Sequence, residues 1–296
     1  MNGTVVVIGN FDGVHAGHAG VLRTAQETAP GLPLVVVTFW PHPMTVLRPD
    51  RAPALICDLD ERIRLLKEAG ADEVRVVEFT SRVASWSPAH FVEFTLLPLR
   101  PAVVVVGENF RFGHRAAGTV DTLRELGKGQ FEVVALPLLN EGETSLSSTR
   151  VRTALEAGDV AEAARVLGRP FRFSGTVVLG DQRGRTIGYP TANLTVPAGQ
   201  ACPADGVYAG WLTRLDTDER FPAAISVGTN PTFDGVERRV ETYVLDRDDL
   251  QLYGVRIGVD FVAHLRGQIR FDSLDALLDQ MSRDVTATRE ILDAQA

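Results

Sequence analysis

The sequence predicts an α/β domain with a doubly wound parallel sheet, followed by a small antiparallel β-barrel with a terminal helix. Three observations carry this prediction: apolar runs alternate with helical stretches in the first half, short alternating strands crowd the second half, and a Gly-x-Pro stop separates them. A chain of 296 residues also fits about two domains. We place the domains at residues 1–168 and 171–296.

The first domain contains five nearly continuous Val, Ile and Leu runs, which is typical of strands buried on both faces of a parallel sheet. The runs are 5–8, 34–38, 74–79, 103–106 and 132–136, and the intervening helical stretches include 19–29, 60–69, 88–97 and 151–167. Alternating strands and helices predict a doubly wound fold. The last helix ends at Gly168, and Pro170 marks the domain joint.

The second domain has strands at close spacing and without helices between them, which suggests a small closed barrel. The predicted strands are 171–179, 207–215, 222–227, 240–245 and 255–265. In the last of these, apolar and polar residues alternate as in a half-buried strand. A terminal helix follows, whose apolar stripe begins at Leu274.

Composition and charge exclude several function classes. The net charge of −8 is divided equally between the halves, so neither is a basic arm for nucleic acid or a membrane surface. Cys57 and Cys202 lie outside any C-x-x-C, which gives no support for a disulfide framework or a zinc site. No run approaches the ~20 apolar residues of a membrane span, so we expect a cytoplasmic protein.

The most informative segment is residues 9–18, which we call the histidine turn. It joins the first strand to a helix start and carries His15 and His18. Backbone N–H groups at a helix start attract phosphate, and imidazoles beside them can stabilise charge on a phosphate under attack. Neither a P-loop nor a G-x-G-x-x-G occurs, so this turn is the candidate nucleotide site.

Other unusual segments follow the ends of predicted strands, where ligands bind in such sheets. Asn109 lies between Phe110 and the glycine that ends the fourth strand, and an S-S-T-x-x-R segment spans residues 147–152. Two interpretations stay open for the S-S-T-x-x-R segment, and two for the phenylalanines that follow Asn109. The hydroxyls either cap a helix or grip phosphate, and Phe110 and Phe112 either fill the core or line a site.

In the second domain, residues 188–194 form a predicted rigid turn that presents the hydroxyl of Thr191 and the amide of Asn193. Glu241 lies on an alternating strand beside apolar neighbours. A carboxylate in that setting is either paired, here with Arg238 or Arg239, or functional.

These motifs carry a family resemblance. The G-x-F-D-G-x-H-x-G-H of the histidine turn resembles that of bacterial FMN adenylyltransferases in the nucleotidyltransferase superfamily, as do G-x-N-F-x-F-G and S-S-T-x-x-R. The P-T-A-N of residues 190–193 resembles that of riboflavin kinases, and matches at 206–208, 228–233, 241–246 and 252–254 follow in order. The whole chain is similar to the bifunctional bacterial riboflavin kinase/FAD synthetase family.

The resemblance implies two activities: residues 171–296 phosphorylate riboflavin to FMN with release of ADP, and residues 1–168 convert ATP and FMN to FAD and pyrophosphate. It implies Mg²⁺ at both sites and is compatible with a homo-oligomer. His15, His18 and Glu241 become the catalytic candidates, and Thr191 also becomes a metal ligand. The nucleotide-binding candidates are Gly9, Phe11, Asp12, Gly17, Asn109, Ser148, Thr149, Arg152, Thr191 and Asn193.

Two departures from the family pattern bear on the first domain. Such chains usually have about twenty more residues before the first strand, so we expect an edge element to be absent here or the start to be mis-set. Gly118-Thr119 also stands where Asp commonly follows the Gly. The alternatives are a riboflavin kinase whose adenylyltransferase domain is impaired or has another acceptor, and a flavin-binding or nucleotide-binding regulator without turnover.

Overall fold

Two sheets of different kinds organise the chain in a computed structural model that describes residues 3–137, 140–141, 144–180, 188–232 and 235–294. The chain divides into two compact units, Met1–Ser148 and Thr149–Ala296. No helix in these described ranges is both long and apolar enough to cross a membrane.

The first unit contains a five-stranded parallel sheet in the order β3-β2-β1-β4-β5. Its strands are β1 (Thr4–Ile8), β2 (Leu34–Trp40), β3 (Glu73–Glu78), β4 (Pro101–Gly107) and β5 (Glu132–Leu136). Its helices are α1 (Ala16–Thr28), α2 (Pro43–Leu47), α3 (Leu59–Glu68), α4 (Ser81–Ala84), α5 (Pro88–Phe91) and α6 (Val120–Gly127), and a π-helical turn (Val92–Leu96) follows α5. A short ribbon of β6 (Asn140–Glu141) and β7 (Thr144–Ser145) completes it.

The sheet is covered on both faces because its strands are apolar on both sides. Val5 and Val7 pack with residues of α1 and α3, whereas Val6 and Ile8 pack with residues of α6 and the π-helical turn. The predicted doubly wound sheet is therefore confirmed. This topology brings the carboxyl ends of all five strands to one edge, where the loops that follow them are exposed to ligands.

The second unit contains a six-stranded antiparallel sheet in the order β8-β13-β10-β11-β12-β9. Its elements are α7 (Ser148–Glu156), α8 (Val160–Leu167), β8 (Phe171–Thr176), β9 (Thr191–Thr195), β10 (Gly206–Arg214), β11 (Arg220–Thr232), β12 (Gly235–Val244), β13 (Arg256–Arg266) and a terminal helix, α9 (Leu274–Asp293). An isolated bridge between Val178 and Asn193 joins the two edges of the sheet. The sheet thus curls into the predicted barrel, and α9 packs on β10, β11 and β13.

Two local predictions were wrong. The helix predicted at 151–167 is two helices, because Gly158 adopts φ +74° and Asp159 then caps α8. Residues 191–194 belong to the turn that the sequence predicted at 188–194, but they lie in strand β9. Two Thr residues and a buried Leu suit a strand, and pairing with β12 outweighs the turn preference of Pro190 and Asn193.

Candidate active sites

The histidine turn follows β1 through a run of unusual backbone angles. Phe11, Gly13 and Val14 have φ of 50°, 77° and 40°. A left-handed conformation is rare for a β-branched residue such as Val14, so surrounding contacts must hold it. A side chain at Gly13 would come within 2.8 Å of Ile56, and one at Gly9 within 2.9 Å of the Phe11 ring. The glycines are therefore required by close packing.

His15 and His18 lie at the first turn of α1. His15 is the N-cap residue, and its Nδ1 accepts the backbone N–H of His18 at 3.3 Å. That acceptor role leaves the proton of a neutral His15 ring on Nε2. The two rings stack with centroids 3.6 Å apart. A side chain at Gly17 would approach the His15 ring at 3.1 Å, so glycine leaves room for this arrangement.

The same turn contains a helix N-terminus, a feature that attracts anions. By the geometry of helix ends, the N–H groups of Ala16 and Gly17 have no acceptor within α1, and they point out of its positive end. The Ser148 hydroxyl donates to the backbone carbonyl of Asp12 at 2.9 Å, which places Ser148 against the histidine turn. The structure therefore places Ser148 against the same turn that carries His15 and His18.

Asp12 faces the protein interior, with 2% of its surface exposed. Its carboxylate accepts the backbone N–H groups of Ile56 (3.1 Å) and Cys57 (3.4 Å) and pairs with the Arg62 guanidinium at 3.3 Å. Phe11 is also buried, and its ring meets His18 edge-on at 5.1 Å. These contacts are typical of residues that hold a backbone conformation, so Asp12 and Phe11 stabilise the turn.

The Cys57 thiol supports the turn from the other side. Its Sγ accepts the N–H of Gly13 at 3.3 Å. Burial and the adjacent Asp12 charge raise the pKa of Cys57 to about 12, so the group is a neutral thiol at physiological pH. It acts as an uncharged acceptor in the packing of the turn.

A cavity of about 900 Å³ opens beside the turn at the carboxyl ends of the strands. Gly9 and Asn10 form one wall, and the other lining residues include three arginines and six aromatic residues: Arg48, Arg111, Arg115, Phe39, Phe79, Trp86, Phe91, Phe110 and Phe112. Phe112 also belongs to the core, so both interpretations of that aromatic pair apply. The size and lining suit a planar aromatic ligand.

The remaining nucleotide candidates lie in two segments. Asn109 is exposed directly after β4, and its Oδ1 would be 3.2 Å from a Cβ on Gly107. Thr149 and Arg152 lie in the first turns of α7, and Arg152 shares a helix face with Ser148, four residues earlier. Thr119 caps α6 by accepting the N–H of Thr122. An Asp would cap a helix equally well, so this departure from the family pattern is conservative.

In the second unit, strand register builds the candidate site. Thr191 is paired with Tyr243 and Asn193 with Glu241 across β9 and β12. Directly opposed residues share a face of the sheet, so the hydroxyl, the amide and the carboxylate lie in one row. Arg238, one of the alternative partners of Glu241, pairs with Asp205, and Arg239 pairs with Glu237. Burial raises the pKa of the neighbouring Tyr243.

Asn193 lies where the barrel closes. Its backbone carbonyl accepts the N–H of Val178 at 2.9 Å, and a side chain at Gly180 would overlap its amide group at 2.6 Å. The Nδ2 group donates to the Thr191 hydroxyl at 3.2 Å, which leaves Oδ1 on the other side of the amide. Thr191 and Asn193 line a cavity of about 80 Å³ with Leu252 and Tyr253. The family motif at 228–233 extends beyond the described residues at Phe233.

The side-chain oxygens of Thr191 and Asn193 fit a hard cation that is shared with a nucleotide. Mg²⁺ takes oxygen ligands and keeps substrate phosphates and waters among them, so it needs only one or two protein oxygens. Thr191 Oγ1 and Asn193 Oδ1 provide two such atoms. The described residues contain no group of three or more His, Cys, Asp or Glu that could hold a metal ion.

The sequence alone did not identify Arg62, Gly180 or the role of Trp86. Arg62 had a detectable signal: it occupies the apolar stripe of α3, three and four residues before Leu65 and Leu66. A cation on such a stripe needs a buried acidic partner. Asp12, already among the nucleotide-binding candidates, offers a carboxylate for that role. The ring of Trp86 reaches the cavity through tertiary packing, which no local pattern shows.

Comparison with known proteins agrees with this two-site arrangement. Residues 1–150 match the family model described as FAD synthetase, and residues 167–292 match that described as riboflavin kinase. A crystal structure described as a macrolide-efflux protein from Streptococcus pneumoniae has a TM-score of 0.86 and 37% identity, covering 97% of this chain and 94% of that one.

Curated relatives match over almost the whole length. The bifunctional riboflavin kinase/FMN adenylyltransferase of Escherichia coli K12 is 39% identical over 98% of this chain and 93% of its own. The Bacillus subtilis protein of the same name is 34% identical over 95% and 90%. This chain therefore belongs to the bifunctional riboflavin kinase/FMN adenylyltransferase family.

Proposed function

We propose that this protein phosphorylates riboflavin to FMN with ATP and then transfers an adenylyl group from a second ATP to FMN, giving FAD and pyrophosphate. We assign adenylyl transfer to residues 1–168 and the kinase to residues 171–296. The observation that carries the proposal is that the candidate residues form two separate groups, one at the end of each kind of sheet: His15 and His18 at the start of α1, and Asn193 opposite Glu241.

For adenylyl transfer, the aromatic cavity would hold the flavin and the histidine turn the ATP phosphates. The FMN phosphate attacks the α-phosphorus in line, and pyrophosphate leaves. Because that nucleophile is already anionic, the protein needs no strong base, and positioning and charge stabilisation remain its task. His15 and His18 would donate to the pentacoordinate phosphate, and the N–H groups of Ala16 and Gly17 would assist.

The other nucleotide candidates complete this site in the proposal. Ser148 and Thr149 hydroxyls and the Arg152 guanidinium would bind ATP phosphates, and Asn109 would contact the nucleotide. Gly9 admits the ligand at the cavity wall. Phe11 and Asp12 contribute by shaping the turn, since both are buried.

For the kinase, Thr191 and Asn193 would hold the ATP–magnesium complex, and Glu241 would accept the proton of the riboflavin 5′-hydroxyl. A carboxylate is a weak base for a resting alcohol, but it need only accept the proton as the bond to phosphorus forms. Bound Mg²⁺ would supply neutralisation of phosphate charge at both sites. The cavity of about 80 Å³ is smaller than a nucleotide, so ATP would extend beyond it.

One assay tests the proposal. The protein is incubated with riboflavin, ATP and Mg²⁺, and the flavins are separated by chromatography. FMN followed by FAD is the expected result. Formation of FMN alone would contradict the proposed adenylyl transfer. The absence of both products would support a binding protein without turnover.

The efflux activity in the description of the streptococcal structure belongs to that protein. The two family matches and the curated relatives of this chain agree on flavin nucleotide synthesis. The aromatic cavity and the histidine turn also support this chemistry, so we keep flavin nucleotide synthesis as the single proposed function.

A further inference from the structure

A buried ion pair lies beneath the histidine turn. Arg62 and Asp12 have side chains that are 0% and 2% exposed, and Arg62 Nη2 is 3.3 Å from Asp12 Oδ1. A buried charge is costly to fold unless its partner and its hydrogen bonds compensate it. The position of this pair therefore needs a reason beyond the filling of space.

Arg62 connects two loops at the edge of the sheet. Its Nη1 donates to the carbonyl of Phe39 at the end of β2 (3.2 Å), and its Cζ lies 5.3 Å from the Trp40 ring centre. Its Nε is buried without an acceptor among the described residues. The guanidinium therefore joins Asp12 to the end of β2.

Asp12 connects Arg62 to the candidate catalytic residues of the histidine turn. Its side chain is tied to Arg62 and to the segment at Ile56, and its backbone carbonyl accepts the Ser148 hydroxyl. Residues with left-handed backbone angles lie on both sides of Asp12, and His15 caps α1 three residues later. A movement of Asp12 would therefore displace the imidazoles and Ser148 together.

We propose that Arg62 is a positioning residue for adenylyl transfer: through Asp12 it holds the histidine turn and Ser148 in the arrangement that the phosphates require. This inference rests on the proposed function, because it assumes that the turn acts on ATP. Because Arg62 is fully buried, it would act through Asp12 and not by direct contact with a substrate. Its loss should affect turnover rather than the binding of FMN in the aromatic cavity.

The test compares Arg62→Met, Arg62→Lys and the double variant Asp12→Asn/Arg62→Met. The matched control is Arg64→Met, which makes the same change two residues along α3, where the partly exposed Arg64 pairs with Glu61. FAD formation from FMN gives kcat and KM, titration gives the Kd for FMN, and riboflavin phosphorylation in the same preparation reports on the rest of the chain.

We expect Arg62→Met to lower kcat for FAD formation by ~100-fold with KM and Kd for FMN nearly unchanged, because small misplacements of reacting groups have effects of this order. Arg62→Lys should recover part of kcat, since it keeps the charge but loses the planar fork. The double variant should exceed Arg62→Met in kcat, because a neutral amide in place of the Asp12 carboxylate leaves no unpaired buried charge. Arg64→Met and all kinase activities should match the original protein.

The inference is overturned if Arg62→Met keeps the original kcat. It is also overturned if FMN binding is lost in parallel with kcat and neither Arg62→Lys nor the double variant recovers turnover, because the pair would then be merely structural. If Arg62→Met does not fold, the same criteria apply to Arg62→Lys. A failure of the unsubstituted protein to form FAD would instead reject the proposed function.

Discussion

The two candidate sites are held in place by different kinds of contact. In the first unit, the histidine turn depends on residues far along the chain, since Asp12 is tied to the segment at Ile56, to Arg62 and to Ser148. In the second unit, backbone register alone sets Asn193 opposite Glu241. The first site can therefore be disturbed by a remote substitution, whereas the second is robust as long as its sheet is paired.

The largest effect is expected for Glu241→Gln, which keeps the shape of the side chain but removes the base. This substitution tests whether the two activities use separate sites. We expect FMN formation to fall by ~10³-fold, within the usual range for a general base, and FMN-to-FAD conversion to be unchanged. Chromatography of the flavins measures both. Glu237→Gln is the control on the same strand face, where the carboxylate pairs with Arg239. Loss of both activities in folded protein would contradict one site per unit.

The converse substitution is His18→Ala in the stacked imidazole pair. We expect FAD formation to fall by roughly 10²- to 10³-fold, because a preorganised donor to the transition state is lost, while riboflavin phosphorylation continues. His264→Ala removes an exposed imidazole of the second unit and serves as the control. If FAD formation survived His18→Ala, the chemical role of the turn would be wrong.

A third prediction concerns stability and compares the ion pair of Arg172 and Asp260 with that of Arg62 and Asp12. Arg172 binds Asp260 with two hydrogen bonds of 2.7 Å, away from the row of candidate catalytic groups. Arg172→Met should lower the free energy of unfolding of the second unit by about 1–3 kcal/mol, because the Asp260 carboxylate loses two charge-assisted hydrogen bonds and keeps, among the described residues, only Arg220, whose Nη2 is 3.9 Å away. Both kcat values should be unchanged where the protein is folded. Urea unfolding measures the loss, and a specific defect in FMN formation would show that this pair also positions a site.

The smallest expected effect is at the two cysteines, one in each unit. Burial is the main cause that raises the pKa of both Cys57 and Cys202 to about 12. At pH 8 only on the order of one thiol in 10⁴ would be a thiolate, so neither should react with a thiol reagent in the native protein. Each should react when its own unit unfolds, and mass spectrometry of the labelled peptides separates them. Rapid native labelling of Cys57 would mean that the packing beneath the histidine turn opens easily.

The sequence predicts most of the fold because apolar runs and alternation report burial directly. It also places His15 and His18 at a helix start, since a strand, a glycine-bearing turn and a helix are all local signals. It misjudges Thr191 and Asn193 as a turn because strand pairing with β12 is not visible in a short segment. The Arg62 contact is missed for the same physical reason: it links residues 50 positions apart.

The central claim is that two separate sites each bind ATP, and a crystal structure with a non-hydrolysable ATP analogue and Mg²⁺ tests it most directly. We predict two bound triphosphates: one against His15, His18 and Ser148, the other against Thr191 and Asn193. A triphosphate at neither place, or a single one that serves both activities, would contradict the account.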